Sequence, residues 1–436
     1  MKHSSKHPVT ALLGTLLFSS LGFAQVECVK ANEYIPFVGK AALKNRDGSS
    51  ASLGTYSRIS PDGRYVLRSL SGDHLTSASL MEIRDTTNGG KEAIAYNTNL
   101  KNEAFPVQGS WRFVNNIGGD HFRVADVINH EKKASRQFKG GIEGFYATAA
   151  EIPGGTDASI KIRSLSWPND GNQATAGSLK NKVIEVSKNR DGSYKKLKES
   201  SSYTMCGNLR KTEGDMFTLP MISTDGKEFA AFPVNSADKK PTMRIYEFGA
   251  NNTDCKLVED LGFATSKVIF GFPQEGKKAP IVFLGSSTMQ GAEVCKPSNK
   301  GQTQCFKDRI PVSGIHLYDR DLKKTFYVGD RSRKVDSVDS FPGMTKDGRV
   351  VYGARWQECS SGNKSACVEK VGYVIADPYQ SEDYRQFLKD NPKHAAKAKT
   401  CITKAEVLKV EQEQRVIYGL SSGGGNPPPA SQKGTR

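Results

Sequence analysis

Three stretches of this chain share one short pattern. Ile59 opens ISPDGRYVLRSLS, Ile222 opens ISTDGKEFAAFPV and Met344 opens MTKDGRVVYGARW. Each has an apolar residue, Ser or Thr, one spacer, Asp-Gly, one or two polar residues and then an apolar run. Asp-Gly between two strand-forming runs is a tight-turn signal, because glycine takes the positive φ the turn needs. The aspartate side chain accepts hydrogen bonds from backbone N–H groups inside the same turn. A chain that repeats this unit is committed to strand, turn, strand, and short strands are favoured over long helices.

The segments after these turns also repeat. Third runs are SLMEIRDTTNG from Ser79, KVIEVSKNRDG from Lys182, TMRIYEFGANN from Thr242, GIHLYDRDLKK from Gly314 and KVGYVIADP from Lys370. A fourth run usually comes next: KEAIAY, YKKLKE, CKLVED and TFYVGD. Four antiparallel strands joined by short turns make one propeller blade. Asp62, Asp225 and Asp347 lie 163 and 122 residues apart, or about 54 and 61 residues per blade with intervening units counted. Degenerate turns at Gly118–Gly119–Asp120, Gly154–Gly155 and Glu275–Gly276 supply those units. The expectation is an all-β fold, a six-bladed β-propeller of four-stranded blades over residues 45–378.

The strings ISPDGRYVLRSLS, ISTDGKEFAAF and MTKDGRVVYGA resemble the repeat of TolB-like propellers, and the resemblance covers about 330 residues. It implies that the Asp-Gly turn joins the innermost strand of a blade to the second. It implies a fold and not an activity, since one fold hosts many functions.

The chain has 436 residues and a net charge of +16, from 62 basic and 46 acidic side chains. With 37% hydrophobic and 25% charged residues it is polar but globular, which excludes a collagen, a coiled coil or a wholly disordered chain. The N-terminus, MKHSSKH followed by VTALLGTLLFSSLGFA, reads as a signal peptide over residues 1–24, with Gly22 and Ala24 at the cleavage positions. Loss of Lys2 and Lys6 with it leaves +14. Export to a bacterial periplasm or the extracellular space is expected, with no transmembrane segment, because no later stretch reaches 18 apolar residues.

All eight cysteines lie beyond that segment, and an even count in an oxidising compartment reads as disulfides. Cys295 with Cys305 and Cys359 with Cys367 each close a polar loop of about ten residues, worth roughly 2–3 kcal/mol of unfolded-state entropy. The preferred assignment of the rest is Cys206 with Cys255 and Cys28 with Cys401. No CxxC, CxxCH or zinc-spaced Cys/His cluster occurs, so no metal or cofactor is expected. Residues 25–44 hold a strand-like segment suited to closing the ring. Residues 379–418 favour helix, with Leu388, Ala395 and Ala398 as a weak apolar stripe. Residues 420–436 are Gly/Ser/Pro-rich and read as a disordered tail.

Catalytic signals are sparse. No Gly-x-Ser-x-Gly elbow occurs outside the tail, and a hydrolase domain has no room. His74, His121, His130, His316 and His394 are scattered, and His316 reads as structural. Asp62, Asp225 and Asp347 read as turn formers, and Trp111, Trp167 and Trp356 as packing residues. The stretch Lys180–Lys198 carries seven basic and two acidic residues on one hairpin, and HEKKASRQFK from His130 is a second basic cluster. The binding candidates are therefore Lys188, Arg190, Lys195 and Lys196 on the basic hairpin, with Arg58 and Arg112 placed by register toward the central funnel.

The reading is an exported binding or scaffold propeller, a monomer without catalytic residues. It would engage an envelope protein or an anionic polymer, and not nucleic acid, through its loops or funnel mouth. The alternative is a polysaccharide lyase or hydrolase acting in the funnel.

Overall fold

The computed structural model describes residues 27–36, 58–69, 79–88, 91–98, 104–108, 112–118, 121–126, 136–139, 146–154, 159–167, 173–175, 179–188, 194–199, 203–204, 206, 208, 216–233, 242–251, 253–263, 268–297, 303–329, 335–337, 342–359 and 367–417. The expected signal peptide, the expected tail and Arg190 lie outside the described residues.

The chain is mostly β, and nearly all of its strand pairs are antiparallel. β1 (Asn32–Pro36) is followed by β2 (Arg58–Ile59), β3 (Tyr65–Ser69), β4 (Ser79–Asp85) and β5 (Lys91–Thr98), the last four forming one sheet in that order. Next come β6 (Ala104–Gln108), β7 (Arg112–Gly118), β8 (His121–Asp126) and β9 (Arg136–Lys139). They are joined by β10 (Tyr146–Ile152), β11 (Ser159–Trp167), β12 (Gln173–Thr175), β13 (Lys180–Lys188), β14 (Tyr194–Glu199) and β15 (Tyr203–Thr204). Two antiparallel runs, β6-β7-β8-β9 and β10-β11-β13-β14, share a nine-stranded sheet through a parallel β6–β10 pair. β12 departs to the edge of the next sheet, beside β16 (Met216–Ile222), β17 (Glu228–Pro233), β18 (Arg244–Phe248) and β19 (Cys255–Asp260). β20 (Val268–Phe270), β21 (Ile281–Pro297), β22 (Thr303–Asp319) and β23 (Lys324–Tyr327) form a four-stranded sheet. β24 (Val335–Ser337), β25 (Gly343–Met344), β26 (Val350–Cys359) and β27 (Cys367–Ala376) make the last sheet, and β1 completes it by pairing with β27 from Asn32↔Ala376 to Pro36↔Gly372.

The Asp-Gly pattern forms the turns expected of it. The hydroxyl of Ser60, Ser223 or Thr345 donates to the carboxylate two residues on, at 2.7 Å for Asp225 and Asp347. That carboxylate accepts the next N–H but one, from Arg64 and Lys227 at 3.1 Å and from Arg349 at 3.2 Å. Gly63, Gly226 and Gly348 have φ of 77°, 68° and 103°. The three aspartates are thus occupied in holding turns. The Gly118–Gly119–Asp120 turn differs from expectation. It separates β7 from β8, the second and third strands of its run rather than the first and second. A Gly-Gly-Asp signal marks a hairpin but carries nothing about its place in the sheet.

The β10–β14 run, the β16–β19 sheet, the β20–β23 sheet and the last sheet pack face to face in turn, and the last sheet packs on the first, because their strands are apolar on both sides. On β17, Phe229 and Ala231 join Ala150, Leu165 and Ile222 in one cluster, while Ala230 joins Ile245, Phe270 and Ile281 in another. On β26, Val350, Tyr352 and Trp356 face Val282 and Leu317, while Val351 joins Ile35 and Val66. The strand period of two therefore feeds alternate residues to two neighbouring sheets. Trp356 is fully buried there, as a packing residue.

Adjacent turns also lock together. Thr224 Oγ1 donates to Gly271 O at 2.9 Å and Arg163 Nη1 to Gly226 O at 3.0 Å. Lys346 N donates to Pro61 O at 2.7 Å, and Arg349 Nη2 to Asp62 O at 3.0 Å, so the last sheet's turn rests on the first's. At Gly226 an added Cβ would collide with Ile152 of the neighbouring sheet, and its φ already disfavours any other residue. Gly226→Ala is expected to cost about 2 kcal/mol from left-handed strain and overpacking together. The urea unfolding midpoint measures it, and a midpoint equal to that of the parent would contradict this role for Gly226.

Beyond β27 the chain turns helical. Asp377 is buried and accepts hydrogen bonds from Tyr379 N (3.0 Å), Gln380 Nε2 (2.8 Å) and Ile402 N (2.7 Å). Helix α1 (Glu382–Asp390) is N-capped by Ser381, with Glu382 and Asp383 in its first turn where the helix dipole favours acids. It packs Tyr384 and Phe387 on Phe326 of β23 at ring distances of 5.1 and 5.5 Å. A short α2 (Pro392–Ala395) leads to α3 (Lys404–Ile417). Thr403 and Glu406 form a reciprocal capping box at the start of α3, each accepting the other's N–H at 3.2 and 2.8 Å. Cys28 and Cys401 stand at disulfide distance, Cα–Cα 5.8 Å, and tie this appendage to the segment before β1. Cys206 and Cys255 are likewise paired, at 4.9 Å. Cys295 faces Cys305, and Cys359 faces the disulfide-bonded Cys367, in strand register. No helix among the described residues is long and apolar enough to cross a membrane.

Candidate functional site

The residues proposed from sequence fall on strands. Arg58 opens β2, an edge strand of its sheet, and Arg112 opens β7, between β6 and β8. Lys188 ends β13, and Lys195 and Lys196 lie on β14 opposite Ser187 and Val186, so the basic hairpin forms. The side chains of these five residues lie outside the described residues. His316 is buried between the rings of Phe283 and Tyr327 at 5.4 Å each, with Nδ1 3.0 Å from Gly314 O. That is the structural placement expected of it.

A buried charge cluster bridges two sheets. Arg320 is 2% exposed. It forks onto Glu228 of β17 at 2.7 and 3.2 Å and donates Nε to Glu259 of β19 at 2.8 Å. Burial alone would pull the arginine's pKa down, but the hydrogen bonds to Glu228 and Glu259 outweigh it and hold it above its ordinary value. Tyr318 donates to Glu259 at 3.2 Å, and its hydroxyl is pushed up to about 12 by burial and then by the glutamate's charge. All partners are satisfied, which suits a staple rather than a reactive centre. Among the described residues no group of three or more His, Cys, Asp or Glu side chains is placed to hold a metal ion.

A concave feature among the described residues lies where the β20–β23 sheet, the turn at 345–348 and the helical appendage meet. It is a cavity of about 250 Å³. Phe272, Pro280, Leu317, Met344, Tyr379, Tyr384, Phe387 and Leu388 supply apolar lining. The rings of Tyr379 and Tyr384 stand edge to face at 5.3 Å. Burial raises the Tyr384 hydroxyl to about 12, and it raises Tyr379 further, so both are neutral donors at physiological pH. Six lysines and His394 share the lining with only Asp319 and Asp321. Three of the lysines are already paired: Lys278 with Glu259 at 3.8 Å, Lys346 with Glu413 at 2.6 Å and Lys399 with Glu406 at 2.7 Å. Lys277, Lys393 and Lys397 are exposed and have no ion pair among the described residues. Asp319 is engaged by the N–H groups of Asp321 and Leu322 at 3.0 and 2.9 Å.

Sequence reading missed this cavity. Its lining comes from five segments between Phe272 and Lys399, none of them unusual in composition. The one available signal was the lysine-rich PKHAAKAK run after α1, which joins an otherwise apolar helix face.

No protein-family model matches the chain, and no curated protein matches it. Among solved structures it is similar to the beta-propeller domain of Cps50 (Swd1) from Myceliophteria thermophila, at 10% identity and a TM-score of 0.33, over 74% of this chain and 96% of that one. It is similar to a putative TolB from Agrobacterium tumefaciens at 13% identity and 0.28, over 74% and 90%. For the beta-propeller domain of the Trilobed protease from Pyrococcus furiosus the values are 11% and 0.31, over 72% and 84%.

Proposed function

We propose that the chain is an exported six-bladed propeller of TolB-like type that serves as a binding scaffold for an anionic partner, an acidic protein or an envelope polymer. The face-to-face packing that runs from β10–β14 through the last sheet to the first, the contact between the last and first turns, and the β1–β27 pair support the ring. Disulfides at Cys28–Cys401 and Cys206–Cys255 support an oxidising compartment.

One observation carries the binding role: Lys277, Lys393 and Lys397 converge on the cavity wall without ion-pair partners among the described residues, while the other lysines of that wall are neutralised. A rigid framework with unpaired like charges attracts anions at little ordering cost. The test is retention on immobilised polyglutamate at low and high salt. The parent chain is expected to bind at low salt only. Lys277→Glu/Lys393→Glu/Lys397→Glu should abolish retention, whereas Lys30→Glu/Lys256→Glu/Lys409→Glu, with the same change in charge on exposed residues outside the lining, should not. Equal loss in the two triple variants would remove the reading of this wall as the binding face.

A further inference from the structure

We propose that the cavity itself is a site for a small ring-bearing anion, a planar aromatic body carrying a carboxylate or a phosphate. This rests on the reading of the lysine wall as an anion-binding face and specifies what enters beside it.

Size comes first. A dry cavity of roughly 150 Å³ accepts benzene, and this one, at about 250 Å³, has room for a ring and one head group. A polymer strand or a folded peptide does not fit within it, so a macromolecule would remain at the lysine wall. Chemistry comes next. Tyr379, Tyr384 and Phe387 present aromatic surface suited to edge or offset contacts with a planar ring. The tyrosine side chains add no negative charge to this lining. Lys393 and Lys397 bring positive charge from the segment after α1, on the same cavity. A site with apolar lining and a few convergent polar groups is the usual form of a small-ligand pocket. Asp321, exposed and bearing the opposite charge on the same lining, disfavours a ligand that brings a second negative charge into the cavity.

Calorimetric titration of the full chain tests this with four probes: phenyl phosphate, phenylacetate, inorganic phosphate and benzyl alcohol. Phenyl phosphate or phenylacetate should bind at least about tenfold more tightly than either inorganic phosphate or benzyl alcohol, because ring and charge are both recognised. The stronger of the two names the head group. Lys393→Gln/Lys397→Gln should raise the Kd of the ring-bearing anion about tenfold, with the thermal unfolding midpoint unchanged because both side chains are exposed. Leu388→Trp, which fills the cavity from α1, should also abolish binding without removing charge. Phenyl phosphate and phenylacetate binding no better than inorganic phosphate, or an unchanged Kd in both variants, would overturn the assignment. If these probes fail while polyglutamate retention persists, the small-ligand site is lost and the scaffold reading stands. If they bind while retention is lost equally in both triple variants, the reverse holds.

Discussion

Arg320→Met is expected to lower the stability of the folded chain by about 3–5 kcal/mol, the usual cost of removing one partner from a buried ion pair. The guanidinium side chain is 1% exposed, and Glu259 beneath it 8%. Without the arginine, Glu259 keeps only the Tyr318 hydroxyl at 3.2 Å and Lys278 at 3.8 Å, and Glu228 loses both of its short contacts. Two carboxylates would then be left partly desolvated and near each other. The bridge spans the β16–β19 and β20–β23 sheets, so their packing is where the loss is felt. Arg320→Lys should fall between parent and Met, because a single ammonium cannot reproduce the fork onto Glu228 and the bond to Glu259 together. Adding Glu228→Gln and Glu259→Gln to Arg320→Met should recover much of the loss, since the penalty belongs to the unpaired charge and not to the missing attraction. Equilibrium unfolding in urea measures all three. A Met variant within about 1 kcal/mol of the parent would show that the bridge is not a staple.

The second large effect is expected from Cys28→Ser/Cys401→Ser. The bond closes a segment with a sequence separation of 373, against 49 for Cys206–Cys255. Loop-closure entropy alone would be worth roughly 5–6 kcal/mol for the longer loop and about 4 kcal/mol for the shorter, and measured disulfides commonly deliver less. The expected loss is about 4 kcal/mol, larger than that from Cys206→Ser/Cys255→Ser. Removal should also loosen one region selectively. Val29 N donates to Ile402 O, Lys404 N to Glu27 O and Gln380 Nε2 to Val29 O, all at 2.8–2.9 Å around the disulfide. Amide exchange should therefore accelerate in β1 and at the start of α3, with little change in β17 and β18. A smaller midpoint shift than that of the Cys206/Cys255 variant would refute the closing role.

Strand identity was legible along the chain where a turn and a period-two run sat side by side. The third and fourth runs starting at Ser79, Lys182, Thr242 and Gly314 are third and fourth strands of their antiparallel runs, and the missing fourth strand of the last sheet is β1. The place of Gly118 was not legible, nor was β12's departure to the neighbouring sheet. A three-residue strand has no pattern long enough to name its partner. The cavity was the least legible feature, because its apolar and basic residues are each ordinary members of turns and helices.

The local units of this protein are encoded in contiguous residues. Asp62, Asp225 and Asp347 bond within a few residues of themselves, and the φ of the glycine after each follows from the turn, so no distant partner is required. Which charges are neutralised is settled only once the chain is folded. Arg320 meets Glu228 across 92 residues and Lys346 meets Glu413 across 67, while Lys393 and Lys397 meet no acid among the described residues. Charge pairing depends on distance in space, and sequence spacing carries that distance only within a turn, a helix face or a hairpin.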